Sequence, residues 1–455
     1  MLNPSEIIRA MQFDRFYQSD PVNLSSSPRM EITYQYAGTQ APEDLPTGVT
    51  YSGWRDFTAA EQANFEAALA HIETFLNVEF VEVSGQSDPD INVGAVTLPG
   101  STTGYGGYSV RYSGTTITQW DGYVVFDETL DLSADQYMNL LLHEMGHAMG
   151  LRHTFDDDSD LPSEYDSNLY SVMSYTANPN NGQDSDAMML FDVLALQDIW
   201  GSTAFNAGDT TYTGSRTATV DAIWDSGGQD MISVADRTSD VVIDLRQGSF
   251  SSIDAESDVV ITFGTVIEDV RAGVGNDRIT GNTDNNYLYG NIGNDTVYGG
   301  RGGDHLVGGS GRDRLYGEGG RDSLVGDSGR DQLRGGAGAD TLSGGVQRDR
   351  LFGGAGNDTL AGGGGNDVLN GQAGNDVLYG GRSTDTFVFA NTFGNDTIRD
   401  FDDGLDTIKI RGHGDLSAVL AAASDTADGA LFDFGSDTLL VRGVSVSDLS
   451  DDILV

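Results

Sequence analysis

The stretch His143-Glu144-Met145-Gly146-His147-Ala148-Met149-Gly150-Leu151-Arg152-His153 reads H-E-x-x-H-x-x-G-x-x-H. Residues four apart share a helix face, so His143 and His147 can aim two imidazoles at one ion. Glu144 sits one step round, placed to act on a water bound there. Gly150 can adopt the left-handed conformation that ends a helix, turning the chain so that His153 returns as a third ligand. Three neutral imidazoles leave a tetrahedral zinc one open position, which suits a catalytic site rather than a structural one. The competing reading is a surface helix that happens to carry histidines. Three His, one Glu and one Gly at fixed offsets weigh against it.

A helix must present these groups. Ser133 and Gln136 read as a capping box, and residues 134–149 contain no Gly or Pro except Gly146, which predicts a helix over that span. Tyr137, Leu140, Leu141 and Leu142 give it a packing face. A second capping box, Thr58 and Glu61, opens a predicted helix over 58–77, with Phe65, Ala68, Leu69, Ile72 and Leu76 on one side. Residues 188–200 read as a closing helix. Residues 32–36, 78–83, 91–96 and 123–126 are strand candidates, and 106–112 is a candidate sheet edge. Ile7, Ile8, Met11, Phe13 and Phe16 suggest a short amphipathic helix near the start. His71 has no partner at ligand spacing and reads as structural; His305 and His413 read as incidental. Residues 30–204 thus make an α/β (α+β) unit.

From Ala272 the pattern changes to a nine-residue repeat, G-G-x-G-x-D-x-U-x, with U a large apolar residue. The aspartates fall at Asp277, Asp295, Asp304, Asp313, Asp322, Asp331, Asp340, Asp349, Asp358, Asp367, Asp376 and Asp385, with Asn286 as the one break. Two residues after each comes an apolar residue, from Ile279 to Phe387. The pattern resembles the RTX parallel β-roll, which implies that each repeat is a six-residue turn and a three-residue strand, with two repeats per turn of a flattened coil. Gly273, Gly275, Gly293, Gly300, Gly302, Gly309, Gly311, Gly336, Gly338, Gly354, Gly356, Gly363, Gly365 and Gly374 allow carbonyls to close on an ion. With aspartate oxygens from neighbouring turns they form the hard-oxygen cage that Ca²⁺ favours. A disordered Gly/Asp linker would not place an apolar residue at every ninth position. Asp284, Gln347 and Ser383 replace a loop glycine, so fewer ions are expected than in a perfect array. Arg312, Arg321, Arg330 and Arg348 precede their aspartates and are expected to pair with them.

Two family resemblances follow. Ser171-Val172-Met173-Ser174-Tyr175, together with the long histidine motif, resembles the Met-turn of metzincins and of the serralysin family in particular. The resemblance implies a zinc protease in which Met173 floors the metal site. It implies that Tyr175 is a switchable fifth ligand that swings to the oxyanion. The repeats resemble the RTX parallel β-roll, an all-β domain. Ile223-Trp224-Asp225-Ser226-Gly227-Gly228-Gln229-Asp230 and Val266-Ile267-Glu268 resemble serralysin segments leading into the roll, implying calcium at Asp225, Gly227, Asp230 and Glu268. Residues 385–389 and 398–401 are similar to the family's capping strands. The ending Asp452-Ile453-Leu454-Val455 is similar to a type I secretion signal. One departure stands out: Thr154 follows the third histidine where the family usually has proline. The next stretch is acidic, with Asp156, Asp157, Asp158, Asp160, Glu164 and Asp166, which reads as a solvated loop or else as an extra cation site or a preference for basic substrates. The expected layout is 1–29, an N-terminal segment or short propeptide; 30–204, the protease unit; 205–271, a β-rich connector; 272–388, the roll; and 389–455, a cap with the secretion signal.

Composition narrows the classes. The chain has no cysteine, which excludes disulfides, thiol catalysis and a cysteine switch. Net charge is −46, arguing against nucleic acid or an anionic membrane as partner. No segment approaches the ~20 apolar residues of a membrane span, and no N-terminal run resembles a secretory leader. The reading is a secreted, monomeric zinc endopeptidase with one Zn²⁺ and several structural Ca²⁺, exported by a type I ABC transporter. Glu144 is its general base, and its partners are protein or peptide substrates. An RTX adhesin with an inactive or latent protease unit is the alternative. A pore-forming RTX toxin fits less well, since Lys409 is the only lysine available for acylation.

Overall fold

The computed structural model describes residues 2–42, 51–155, 161–180, 182, 184–214, 221–255, 257–390 and 392–455. The acidic positions Asp156, Asp157, Asp158 and Asp160 lie outside them.

The first half is a twisted sheet with helices packed against it. In chain order its elements are α1 (Pro4–Met11), α2 (Asp14–Tyr17), β1 (Met30–Tyr36), β2 (Ser52–Arg55), α3 (Ala59–Glu73), β3 (Val78–Glu82), β4 (Ile91–Thr97), β5 (Gly104–Ser113), β6 (Thr116–Asp127), α4 (Met138–Ala148) and α5 (Leu190–Trp200). The strand order is β3-β1-β4-β6-β5, with β2 also pairing β4. β5 is the antiparallel edge strand, as its sequence suggested. Thr58 and Glu61 do form a capping box, and α3 buries Phe65, Ala68, Leu69 and Ile72, although it stops at Glu73.

The other predicted box does not form. Ser133 Oγ donates to Asp131 Oδ1 (2.5 Å) instead, and the chain makes a 3₁₀ turn over Asp135–Tyr137 before α4 begins at Met138. A nearer acceptor two residues back captured the hydroxyl. Near the N-terminus, Asn3 and Glu6 box α1, which buries Ile7, Ala10 and Met11 against the protein core. Buried Gln12 donates to Ala195 O (2.8 Å), and the Arg152 guanidinium donates to Ala10 O and Arg9 O (2.9 Å each).

The second half is a roll of parallel strands. Strands eighteen residues apart pair in register, Leu306 with Leu324 and Leu315 with Leu333, so two repeats do make one turn. The apolar residue of every repeat from Ile279 to Phe387 is fully or almost fully buried, in a single interior column. Between the first strand, Arg278–Thr280, and the last, Thr386–Ala390, the strands run six or seven residues rather than three, because loop residues pair with the next turn too, as Gly300 does with Glu318. A three-stranded antiparallel ribbon, Ala423–Asp425, Gly429–Asp433 and Thr438–Arg442, ends one of the two sheets. Between the halves, the strand Val259–Ile261 alternates: Val260 enters the first core, while Val259 and Ile261 enter the roll's.

Candidate active site and calcium rows

α4 carries His143, Glu144 and His147 at the base of a cleft of about 840 Å³. His143 Nδ1 lies 2.7 Å from Val172 O and His147 Nδ1 2.9 Å from Leu151 O. A carbonyl can only accept, so both Nδ1 atoms carry the proton and both Nε2 atoms present lone pairs. After Gly150, His153 returns and places its Nε2 3.3 Å from that of His143 and 3.0 Å from that of His147. Two lone pairs and a third ring nitrogen packed this closely suit a cation among them. A tetrahedral zinc with bonds of about 2.1 Å sets its nitrogens about 3.4 Å apart, so the triad fits the metal. Burial lowers the pKa of His143 to about 4 and that of His147 to about 3, keeping both rings neutral as ligands must be.

Glu144 is buried, and burial pushes its carboxyl up to about 8 against a backbone hydrogen bond from Gly106. Two glycines of β5 make room for it. A Cβ on Gly104 would lie 2.7 Å from Glu144 Oε1, and one on Gly106 would lie 1.9 Å from the Glu144 carbonyl oxygen. These glycines escaped the sequence reading. Their only trace is the run Gly104-Tyr105-Gly106-Gly107 in a strand otherwise rich in larger residues.

Met173 is fully buried under the histidines, and a Cβ on Gly146 would meet its Sδ at 2.6 Å, so Gly146 lets the methionine turn seat against α4. Tyr175 is 71% exposed, its ring stacked on His143 at 5.3 Å. Phe155, also missed, stacks on His153 at 4.6 Å and touches Tyr175 at 4.8 Å. Asp192 of α5 anchors the turn. Its carboxylate accepts from Ser171 Oγ (2.5 Å), Val172 N (2.9 Å) and Met189 N (2.9 Å). Burial outweighs these bonds and raises its pKa to about 6. Thr154, standing where the family has proline, donates to Asp166 Oδ1, which also accepts from Ser174 Oγ (2.6 Å). That hydroxyl ties the segment after the histidines to the methionine turn. His71 Nε2 accepts from Met188 N (3.0 Å), a structural task.

In the roll the aspartates form two ladders. The backbone N–H of Asp295 donates to Asp313 Oδ1, that of Asp313 to Asp331, and so on to Asp385 and Asp406; a second ladder runs from Asn286 through Asp304 to Asp376 and Asp396. Along both ladders, from Asp295 to Asp396, the second carboxylate oxygen is buried without a partner. It faces a cradle that a side chain would fill: a Cβ on Gly290 would lie 2.4 Å from Asp295 Oδ2 and 2.8 Å from Gly308 O. A row of orphaned carboxylate oxygens beside glycine carbonyls fits calcium. Burial, then neighbouring carboxylates, pushes Asp349 and Asp396 up to about 8, so the charged row is costly without a cation. Asp396 and Asp406 were not singled out in the sequence, because insertions shift them to offsets of 20 and 21. The D-x-U pattern (Asp396-Thr397-Ile398, Asp406-Thr407-Ile408) was the available signal.

In several repeats other residues take the left-handed conformation expected of glycine, among them Glu318, Asp327, Gln347, Gln372 and Ser383. Arg312, Arg321, Arg330 and Arg348 form no ion pair with the aspartates they precede; those carboxylates are buried and turned inward. At the connector, Asp225 accepts from Tyr212 OH (2.6 Å) and Gly227 N (3.0 Å), and Asp230 N donates to Glu268 (2.8 Å). Asp230 Oδ2 is buried without a partner, and burial, with Asp225 and Glu268 nearby, raises its pKa to about 6.

Residues 29–185 match the model of metallo-peptidase family M12. Residues 271–306, 298–333, 325–360 and 352–387 match four copies of the RTX calcium-binding nonapeptide repeat. Metallopeptidase AprA of Pseudomonas marginalis is 28% identical over 304 residues, 57% of this chain and 62% of that one. Serralysin of Photorhabdus luminescens is 30% identical over 56% of this chain and 59% of its own length. Serralysin A of Dickeya chrysanthemi is 32% identical over 54% and 57%. The chain thus spans about six-tenths of the length of these relatives. With a zinc-fitting triad in the region that matches the M12 model and calcium-binding repeats behind it, the chain is similar to the serralysin-type metallopeptidases over the stretches matched.

Proposed function

We propose that the chain is a secreted, calcium-stabilised zinc endopeptidase acting on extracellular proteins. The observation that carries this reading is the convergence of three imidazole nitrogens beside a buried carboxyl, in a cleft bordered by a strand at the edge of the sheet. His143, His147 and His153 would hold zinc, with Tyr175 as a removable further ligand and Met173 as the floor. Zinc held there would polarise the scissile carbonyl and lower the pKa of its water toward ~7. Glu144, its proton affinity raised by burial, takes the proton of the attacking water and returns it to the leaving amine. Tyr175, exposed and loosely stacked, can turn its hydroxyl to the oxyanion. Substrate would lie extended along β5, pairing with its free edge.

Calcium would occupy the cradles between the aspartate ladders, with Asp225, Gly227, Asp230 and Glu268 forming a further site at the roll's entrance. Export would use a type I ABC transporter that reads the C-terminal segment, where Ile453 pairs into the sheet and Leu454 and Val455 remain exposed.

The test is casein cleavage in calcium. Glu144→Gln should lower the rate at least a hundredfold with zinc content unchanged, and a zinc chelator should abolish it. Unaltered cleavage by Glu144→Gln would refute the mechanism. A zinc-loaded, folded wild type that cleaves nothing would turn the reading toward a binding module.

A further inference from the structure

In a chain with net charge −46, five arginines (Arg312, Arg314, Arg330, Arg348 and Arg350) converge on one cavity of about 150 Å³ on the roll. The repeat puts them there. Arg312, Arg330 and Arg348 recur every eighteen residues, and Arg314 and Arg350 stand in register with Gln332 between them on the ten-stranded sheet. Turns stack at strand spacing, so each row of guanidiniums climbs by about 4.8 Å per turn.

All five are exposed, and among the described residues none has a carboxylate within ion-pair distance. Asp313, Asp331 and Asp349 beneath them are committed elsewhere. Their Oδ1 atoms accept backbone N–H groups and their Oδ2 atoms face the glycine cradles. Guanidiniums stay charged at any physiological pH and repel one another, so the cluster is stabilised by an anion lying between the rows.

The flank of the cavity says what kind of anion. Tyr298 and Tyr316 stack at 4.9 Å, and their faces are already covered by the chain's own cations: Arg278 lies 4.7 Å from Tyr298, and Arg334 lies 5.9 Å from Tyr316 and 5.4 Å from Phe352. Among the described residues, both tyrosine rings thus have a ring or a cation against each face, which leaves little platform for the nucleobases that single-stranded nucleic acid stacks. A partner recognised by charge alone, with oxyanions repeated along its length, matches the rows.

We propose that this face of the roll binds an acidic polysaccharide, its carboxylate or sulfate groups lodged between the arginine rows. The planar fork of arginine pairs with either group through two parallel hydrogen bonds. Repulsion from the acidic remainder of the surface confines such a chain to this face.

The test uses the full chain in calcium, titrated with labelled oligomers of dextran sulfate, polygalacturonate, neutral dextran and oligo-dT of similar length. Dextran sulfate or polygalacturonate should bind, more weakly as salt rises, and the better of the two identifies the group recognised. Arg330→Ala/Arg348→Ala should weaken binding at least tenfold, and Arg330→Lys/Arg348→Lys, which keeps charge but loses the fork, at least threefold. Arg321→Ala, before the opposite sheet, should leave binding unchanged. Circular dichroism in calcium and casein cleavage check that each variant is folded. Absence of binding, equal binding of neutral dextran, unchanged affinity in both double variants, or tighter binding of oligo-dT would each overturn the proposal.

Discussion

Asp192 shows how a site depends on residues that touch neither substrate nor metal. Its two carboxylate oxygens accept from Ser171, Val172 and Met189, fixing the turn whose Val172 carbonyl in turn orients His143. Asp192→Asn substitutes an amide NH₂ for one acceptor and sets it against a backbone N–H. The expected cost is about 1–3 kcal/mol of stability, with zinc affinity falling roughly tenfold. Thermal melts and a competitive zinc titration would check both; a variant with native zinc affinity would remove Asp192 from the positioning role. His143, Glu144 and His147 were legible because one helical turn brings them together, and His153 because the glycine after the helix returns the chain within six residues, so local spacing encodes their contact. Asp192, Gly104 and Gly106 were not, since each meets its partner across the fold rather than along the chain, and Phe155, though only two residues from His153, belongs to no spacing motif.

Elements were legible where the local signal had no competitor. Thr58 and Glu61 cap α3, whereas Ser133 was drawn away by Asp131, which the S-x-x-Q pattern does not include. The α3 box also carries a pH signature. Burial alone would raise Glu61, but the paired Arg55 guanidinium, then hydrogen bonds from Thr58 and Leu132, outweigh it and hold the carboxyl at about 2. A depressed folded-state pKa stabilises the fold above the unfolded value of 4.5, and that contribution is lost as pH falls from there toward 2. The full shift corresponds to on the order of 3 kcal/mol. Glu61→Gln should therefore lower stability at pH 7 yet nearly match the wild type at about pH 2. Denaturant unfolding at both pH values measures this, and an equal loss at both would show that the carboxylate charge is not what α3 depends on.

At the scale of the whole molecule, a nine-residue period made the roll legible down to its buried column, because each repeat can bury its one apolar residue only by stacking on the next. The period failed where insertions carried the ladders on to Asp396 and Asp406. The two cores are nearly separate, meeting along the connector at Val259–Ile261 and at Ala222, Trp224, Phe250 and Phe263, so they should melt separately. Calcium acts on only one of them. Each site held at a hundredfold excess over its dissociation constant adds about 2.7 kcal/mol, and several sites in series multiply that contribution. Without calcium the roll keeps its rows of buried carboxylate oxygens unpartnered and mutually repelling. Calorimetry should then show two transitions in calcium. Chelation should bring the roll's transition down steeply and leave that of the peptidase core within a few degrees. Asp340→Asn, in the middle of a ladder, should lower the calcium-dependent transition and leave the other in place. A single transition insensitive to calcium would mean that the apolar column alone holds the roll, and that the ladders serve some purpose other than stability.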